Sequence, residues 1–185
     1  TRYGVSVWAV CEGEDDVQTG FEHQTASQFD QLDLAQIPDV AIQKANQLLG
    51  AQTPDSRTGP AVLTPEAASG LLKLIRQMTN GESVIKGRSA WGEDRVGDSV
   101  AADSVTIVDD PAHEYGASNA RFDDEGHPME PIHLVEDGTY RSFLTNQYVS
   151  RKAGVTNNHR ASRSFRQRPG VSCTNLFLQA GDTSF

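Results

Sequence analysis

Residues 104–138, SVTIVDDPAHEYGASNARFDDEGHPMEPIHLVEDG, contain the pattern that decides the fold. Residues 105–108 are rich in β-branched side chains and predict a strand, which ends before Pro111 because proline has no amide hydrogen for a ladder. Residues 122–126 combine three acidic residues with a glycine, which is typical of a turn. The apolar run at 132–135 predicts a second strand, closed by a Glu-Asp-Gly turn. The stretch therefore predicts two strands joined by a long acidic loop.

The beginning of the chain predicts a hairpin followed by a helix. From Tyr3 onwards apolar and small residues alternate with the period of a strand, and residues 18–27 supply the antiparallel return. A proline and an aspartate open a helix over 38–50, whose apolar residues recur at helical spacing. We interpret residues 1–52 as the end of an amino-terminal α/β domain. The proline- and glycine-bearing residues 53–59 predict a linker.

Residues 60–185 predict a larger, β-rich domain with one prominent helix. Residues 61–63 predict a short buried strand, and Thr64 caps a helix with a broad apolar face that ends near Asn80. Residues 81–97 are polar and rich in glycine, and predict an extended surface loop. Further elements are predicted as a continuation of the sheet at 139–144, a short helix at 146–153 and a last strand at 171–178. The fold class is therefore α+β.

The charge balance is acidic and excludes some classes of partner. The chain of 185 residues has 25 Asp and Glu against 16 Lys and Arg, a net charge of −9, which argues against nucleic-acid binding because cations carry that affinity. The few lysines are consistent with a salt-adapted cytoplasmic protein or with an ordinary acidic surface. No apolar run approaches the ~18 residues that a membrane helix needs, so we expect no membrane-spanning segment. The expected location is the cytoplasm. The first residue is Thr, which suggests a start inside a longer polypeptide.

The order of the motifs resembles the carboxy-terminal domain of the TldD/PmbA family. The resemblance extends over residues 59–185 and includes TIVDD at 106–110, FDDEG at 122–126, and Arg-Lys-Ala-Gly at 151–154. Thr-Asn-Leu at 174–176, followed by Gly181 and Asp182, also fits. Members of this family carry the name modulator of DNA gyrase and are similar to a two-subunit metalloprotease. The resemblance therefore implies an incomplete copy of that domain, with unstructured peptides as substrates.

The resemblance also implies where a metal would bind. Metalloprotease members have a helix that begins His-Glu and carries a second His one turn on, which supplies two zinc ligands and a general base. Aligned on the preceding leucines, those positions hold Lys73, Leu74 and Met78 here. A charged amine, an isobutyl group and a thioether do not suit a hydrolytic zinc ion. The helix resembles that of the PmbA (TldE) branch, so we expect no catalytic residue and no metal in this chain, with zinc only in a catalytic partner.

No other stretch predicts a metal or catalytic site. The aspartate pairs at 109–110 and 123–124 are interpreted as solvated turn formers, because adjacent carboxylates on a turn point apart. Cys11 and Cys173 give no disulfide framework, and Cys173 is expected to be a small buried hydrophobe. The family's third zinc ligand resembles a cysteine beyond residue 185. The five histidines have no helical ligand spacing; they are His23, His113, His127, His133 and His159.

The strongest positive feature is a cluster of four arginines within nine residues, Arg160, Arg163, Arg166 and Arg168. It has two interpretations, an anion site that grips a peptide carboxylate and a solvated loop neutralised by nearby aspartates. Arginine and the Thr-Asn pair recur here in the family, which implies a groove that binds a peptide as an added strand. The candidate groove residues are Arg163, Arg166, Arg168, Thr174 and Asn175.

We therefore predict a non-catalytic subunit of a TldD/PmbA-type metalloprotease complex that helps bind extended peptides. Its partner would be a TldD-like metal-bearing subunit or a second copy of itself, with neither nucleic acid nor membrane involved. One alternative is an active zinc metallopeptidase whose ligands lie outside this sequence. Another is a β-rich peptide-binding domain with no proteolytic role.

Overall fold

The computed structural model describes residues 3–26 and 28–181 and divides the chain into two compact units, Thr1–Ala61 and Val62–Phe185. Residue 27, the predicted end of the hairpin, and Asp182 of the Gly-Asp pair lie outside the described residues. The fold is a mixture of helices and open sheets, as the sequence predicts. None of the described helices has the length and apolar character needed to cross a bilayer.

The first unit is a long hairpin with a helix on one face. Strands β1 (Tyr3–Glu12) and β2 (Val17–Ala26) pair antiparallel along their whole length, and helix α1 (Gln36–Leu48) packs against them. Gly20 permits this contact, because a Cβ at that position would lie 1.9 Å from the Ala41 carbonyl oxygen. The predicted hairpin and helix are both confirmed.

The second unit begins with an exposed segment and an exposed helix. The predicted buried strand at 61–63 is wrong, because these residues pair with no strand and the side chain of Val62 is 80% exposed. Helix α2 (Pro65–Met78) is confirmed, and the Thr64 hydroxyl accepts a hydrogen bond from the Ala67 N–H. None of its residues is buried, although its apolar face is broad.

A short helix replaces the start of the loop predicted at 81–97. Helix α3 (Gly81–Ile85) begins where the Asn80 side chain accepts hydrogen bonds from the N–H groups of Glu82 and Ser83. Val84 is buried and anchors the helix in a core cluster with Tyr140, Phe143 and Val149. The cap and one buried side chain are enough to hold a helix this short.

The central sheet has four antiparallel strands, β3 (Ile107–Asp109), β4 (Ile132–Glu136), β5 (Thr139–Tyr140) and β8 (Leu176–Leu178). Their order across the sheet is β5-β4-β3-β8. Asp137 and Gly138, which join β4 to β5, both have positive φ, as a type I′ turn requires. The two strands predicted from residues 104–138 are therefore adjacent in one sheet.

Three further elements belong to the second unit. Helix α4 (Gln147–Ala153) is capped by Asn146 and ends at Gly154, as predicted. Strands β6 (Ala161–Ser162) and β7 (Gly170–Val171) form a separate pair. The last strand predicted at 171–178 is therefore two strands, β7 and β8, because the residues between them turn inward to bond a buried carboxylate.

Candidate functional site

A buried ion pair joins the end of β3 to the arginine-rich segment. The Arg160 Nε donates a hydrogen bond to Asp109 Oδ2 at 2.5 Å, and neither side chain is exposed. The remaining guanidinium N–H groups donate to the main-chain carbonyls of Asp109, Glu130, Asn158 and His159 at 2.6 to 3.2 Å. All five N–H donors of Arg160 are therefore satisfied inside the protein.

This ion pair corrects two predictions. The aspartate pairs are not simply solvated, since Asp109 is fully buried and Asp123 is only 7% exposed, while Asp124 is exposed as predicted. Arg160 is neither a surface anion site nor a solvated loop residue, because it is fully buried. A carboxylate and a guanidinium are tolerated in a protein interior when charge-assisted hydrogen bonds replace the lost water.

The turn at 122–126 attaches the acidic loop to β6. Asp123 Oδ1 accepts hydrogen bonds from the N–H groups of Glu125 and His127 at 3.0 and 2.9 Å. Asp123 Oδ2 accepts from the Ala161 N–H at 3.2 Å. The same carboxylate therefore shapes the turn and fixes it next to the buried arginine.

Thr174 and Asn175, two of the predicted groove residues, are half-buried and hold neighbouring segments together. Thr174 donates its main-chain N–H and its hydroxyl to Asp109 Oδ1, at 2.7 and 3.0 Å. The Asn175 amide donates to the Asp110 carbonyl and accepts from the Ser118 N–H, both at 2.8 Å. Their polar groups therefore make internal bonds that position the loop after β3.

The other predicted groove residues, Arg163, Arg166 and Arg168, are exposed on the loop between β6 and β7. Phe165 on this loop is 90% exposed, and the Arg166 guanidinium lies 4.9 Å from the centre of its ring, a cation–π distance. The main-chain N–H of Arg163 donates to Asp124 Oδ2 at 2.7 Å. The structure thus groups the three arginines on one loop, whereas the Thr-Asn pair lies next to β3.

A cleft of about 1030 Å³ lies between α2, α3 and β7. Lys73 and Met78, two of the three positions aligned with the zinc helix, line it, and Leu74 does not. Arg76 closes one side, with its Nη2 3.4 Å from the Ser172 hydroxyl. The Asn80 amide donates to the Val171 carbonyl at 2.8 Å and fixes α3 beside β7.

Most of the charged side chains that line the cleft are cationic. Lys73, Arg76, Lys86 and Arg88 are its four cations, and Glu82 is its one carboxylate. Sequence reasoning missed this site, although residues 73–88 carry four basic residues and a single acidic one in an otherwise acidic chain. That local reversal of charge is the signal that could have found it.

The residues at the positions aligned with the zinc helix do not fit zinc. Lys73 and Met78 present an ammonium and a thioether to the cleft, and Leu74 carries no acid–base group. Within residues 3–26 and 28–181, no group of three or more His, Cys, Asp or Glu is arranged to hold a metal ion.

Cys173 is half-buried in the segment between β7 and β8. Burial raises the pKa of its thiol, and the nearby charge of Asp109 raises it further. The thiol form is favoured, which is the state of an inert cysteine and not of a nucleophile or a metal ligand.

The fold and the sequence together define the class of the protein. The chain belongs to the TldD/PmbA family, because residues 56–185 match the family described as the PmbA/TldA metallopeptidase C-terminal domain. This match covers more than half of the chain and contains both the buried ion pair and the cleft.

Particular relatives agree with that assignment. The zinc metalloprotease TldD homolog of Saccharolobus solfataricus is 30% identical, over 84% of this chain and 35% of its own length. A Thermotoga maritima structure that carries the name modulator of DNA gyrase superposes with a TM-score of 0.87 at 28% identity, over 98% of this chain and 41% of that one. TldE from Thermococcus kodakarensis shares the fold, with a TM-score of 0.81 at 20% identity, over 99% of this chain and 42% of that one. The chain spans about a third of the length of the curated relatives that it matches.

Proposed function

We propose that this chain is part of a non-catalytic subunit of a TldD/PmbA-type metalloprotease complex, in which it helps to bind extended peptides. The observation that carries the proposal is the chemistry of α2. At the positions aligned with the zinc helix it has Lys73, Leu74 and Met78, which supply neither imidazole ligands nor a general base.

The cleft beside α2 supports a role in binding. It is about 1030 Å³ in volume, which is enough for several residues of an extended chain. The family's proteolytic chemistry would then take place on a TldD-like partner subunit that holds zinc, or the assembly would contain a second copy of this chain. We place this assembly in the cytoplasm, in line with the expectation from the sequence.

The exposed loop between β6 and β7 offers a second contact for the peptide. Arg163, Arg166 and Arg168 are exposed, so their guanidinium groups are accessible to carboxylates. Thr174 and Asn175 would contribute indirectly, because their hydrogen bonds to Asp109 and Asp110 fix the segment that follows this loop.

Metal analysis of the purified protein tests the proposal. After incubation with zinc and gel filtration, elemental analysis should find much less than one zinc per chain, and peptide-cleavage assays should find no chelator-sensitive activity. The variant Lys73→His/Leu74→Glu/Met78→His is the matched control, because it restores imidazoles to the same helix and should retain more zinc.

Each of two results would contradict the proposal and favour an alternative function. One zinc per wild-type chain with chelator-sensitive cleavage would show an active metallopeptidase whose ligands lie elsewhere. Failure to associate with a TldD-like subunit from the same cell, at matched salt, together with no self-association, would leave a peptide-binding domain without a proteolytic role.

A further inference from the structure

We propose that the cleft between α2, α3 and β7 binds an acidic segment of the peptide, and that Arg76, Arg88 and Lys73 recognise its carboxylates. The inference rests on the proposed peptide-binding function and specifies the class of substrate.

The charge of the cleft is opposite to that of the protein. The chain has a net charge of −9, yet four cations and one carboxylate line this cleft. A concave site lined by one sign of charge concentrates field lines and attracts ligands of the opposite sign. Charge complementarity therefore favours an anionic occupant over a neutral or basic peptide.

Three of the four cations are available to a ligand. Lys86 pairs with Glu82 at 2.9 Å, so its charge is already compensated. Lys73, Arg76 and Arg88 are exposed, and within the described part of the chain no carboxylate lies at salt-bridge distance from them. Arginine guanidinium groups bind carboxylates in a bidentate geometry, which gives direction as well as strength.

The lining also indicates which kind of anion fits. Met78 and Val171, which are half-buried, supply apolar surface in the same cleft, as a peptide with mixed acidic and apolar side chains requires. No aromatic side chain of the described residues lines the cleft, and a single-stranded nucleic acid needs such surfaces for base stacking.

Fluorescence anisotropy with two labelled, unstructured peptides tests this inference. One peptide alternates glutamate with small apolar residues, and the other carries glutamine at each glutamate position. The glutamate peptide should bind about tenfold more tightly at low salt, because hydrogen bonds between charged groups are stronger than neutral ones. The difference should shrink as salt rises and screens the charges.

A matched pair of variants locates the site. Arg76→Gln/Arg88→Gln should lose the preference for glutamate, whereas Arg121→Gln/Lys152→Gln removes the same charge from exposed positions outside the cleft and should keep it. All four residues are exposed, so neither variant is expected to unfold, and circular dichroism checks this.

Three results would overturn the inference: equal binding of the two peptides, loss of the preference only in the Arg121→Gln/Lys152→Gln control, and displacement of the glutamate peptide by single-stranded DNA of equal charge. The zinc measurement is independent of all three. Low zinc without an acidic preference refutes this inference alone, whereas one zinc per chain with the preference intact refutes only the proposed function.

Discussion

Replacing Arg160 with methionine tests the structural role of the buried ion pair. Methionine keeps much of the length and flexibility of the arginine side chain but removes all five N–H donors. Asp109 Oδ2 then loses its partner in a fully buried position, and so do the carbonyls of Glu130 and Asn158. The perturbation is therefore electrostatic and polar, with only a small change in volume.

The free energy of unfolding that Arg160→Met is expected to lose is large relative to the stability of a domain. Breaking a buried pair by removal of one partner costs about 3–5 kcal/mol, because an uncompensated charge remains. Small domains have free energies of unfolding of roughly 5–15 kcal/mol. The double variant Asp109→Leu/Arg160→Met should lose less than the sum of its two single changes, because neither charge is left without a partner.

Urea unfolding followed by tryptophan fluorescence measures these losses. A Trp8→Phe background leaves Trp91 as the reporter of the second unit, and its ring centroid lies 5.2 Å from that of Tyr140. The control Arg168→Met changes an exposed arginine and should alter the free energy of unfolding by about 0.5 kcal/mol or less. A loss below about 1 kcal/mol for Arg160→Met, the value of an ordinary hydrogen bond, would refute the reasoning.

Three further predictions follow from single sites. Gly20→Ala should destabilise the first unit by about 1–3 kcal/mol in a thermal melt, because its Cβ would lie 1.9 Å from the Ala41 carbonyl oxygen; an unchanged melting temperature would contradict that contact. Tyr140→Phe should be neutral or stabilising in urea, because the buried hydroxyl makes no hydrogen bond within the described chain, and a loss above about 1 kcal/mol would mean that it has a partner. Burial raises the pKa of Cys173, so in a Cys11→Ser background its reaction with a disulfide reagent should begin at higher pH than in the same protein unfolded in urea. The thiol's contribution to stability is then present below the ordinary pKa of about 8.5 and is lost as pH rises through the folded value; identical profiles would refute this.

The longer strands and helices of the fold could be predicted because their sequence signals are local. Alternation identified the hairpin, and the Thr64 cap with its helical period identified α2. Prediction from sequence periodicity failed where a segment was too short to show a period. The three apolar residues at 61–63 were too few to distinguish a buried strand from an exposed segment, and α3 depends on one buried side chain, Val84.

The buried ion pair between Asp109 and Arg160 could not be predicted, and the reason is different. Asp109 and Arg160 are 51 residues apart, and only the folded sheet brings the carboxylate to the guanidinium. Their local sequences are an acidic turn and a basic loop, both of which are usually solvated. The cationic cleft was within reach of sequence analysis, because residues 73–88 reverse the charge of the chain over a continuous stretch.

The hydrogen bonds to Asp109 also set an order of assembly. Its Oδ1 accepts both of its bonds from Thr174, 65 residues further along the chain. During synthesis on a ribosome, the residues of β3 and β4 emerge well before Thr174. Burying the Asp109 carboxylate at that stage would leave its Oδ1 without hydrogen bonds. We expect the nascent sheet to remain open until β8 arrives, so that the second unit closes late and in one cooperative step.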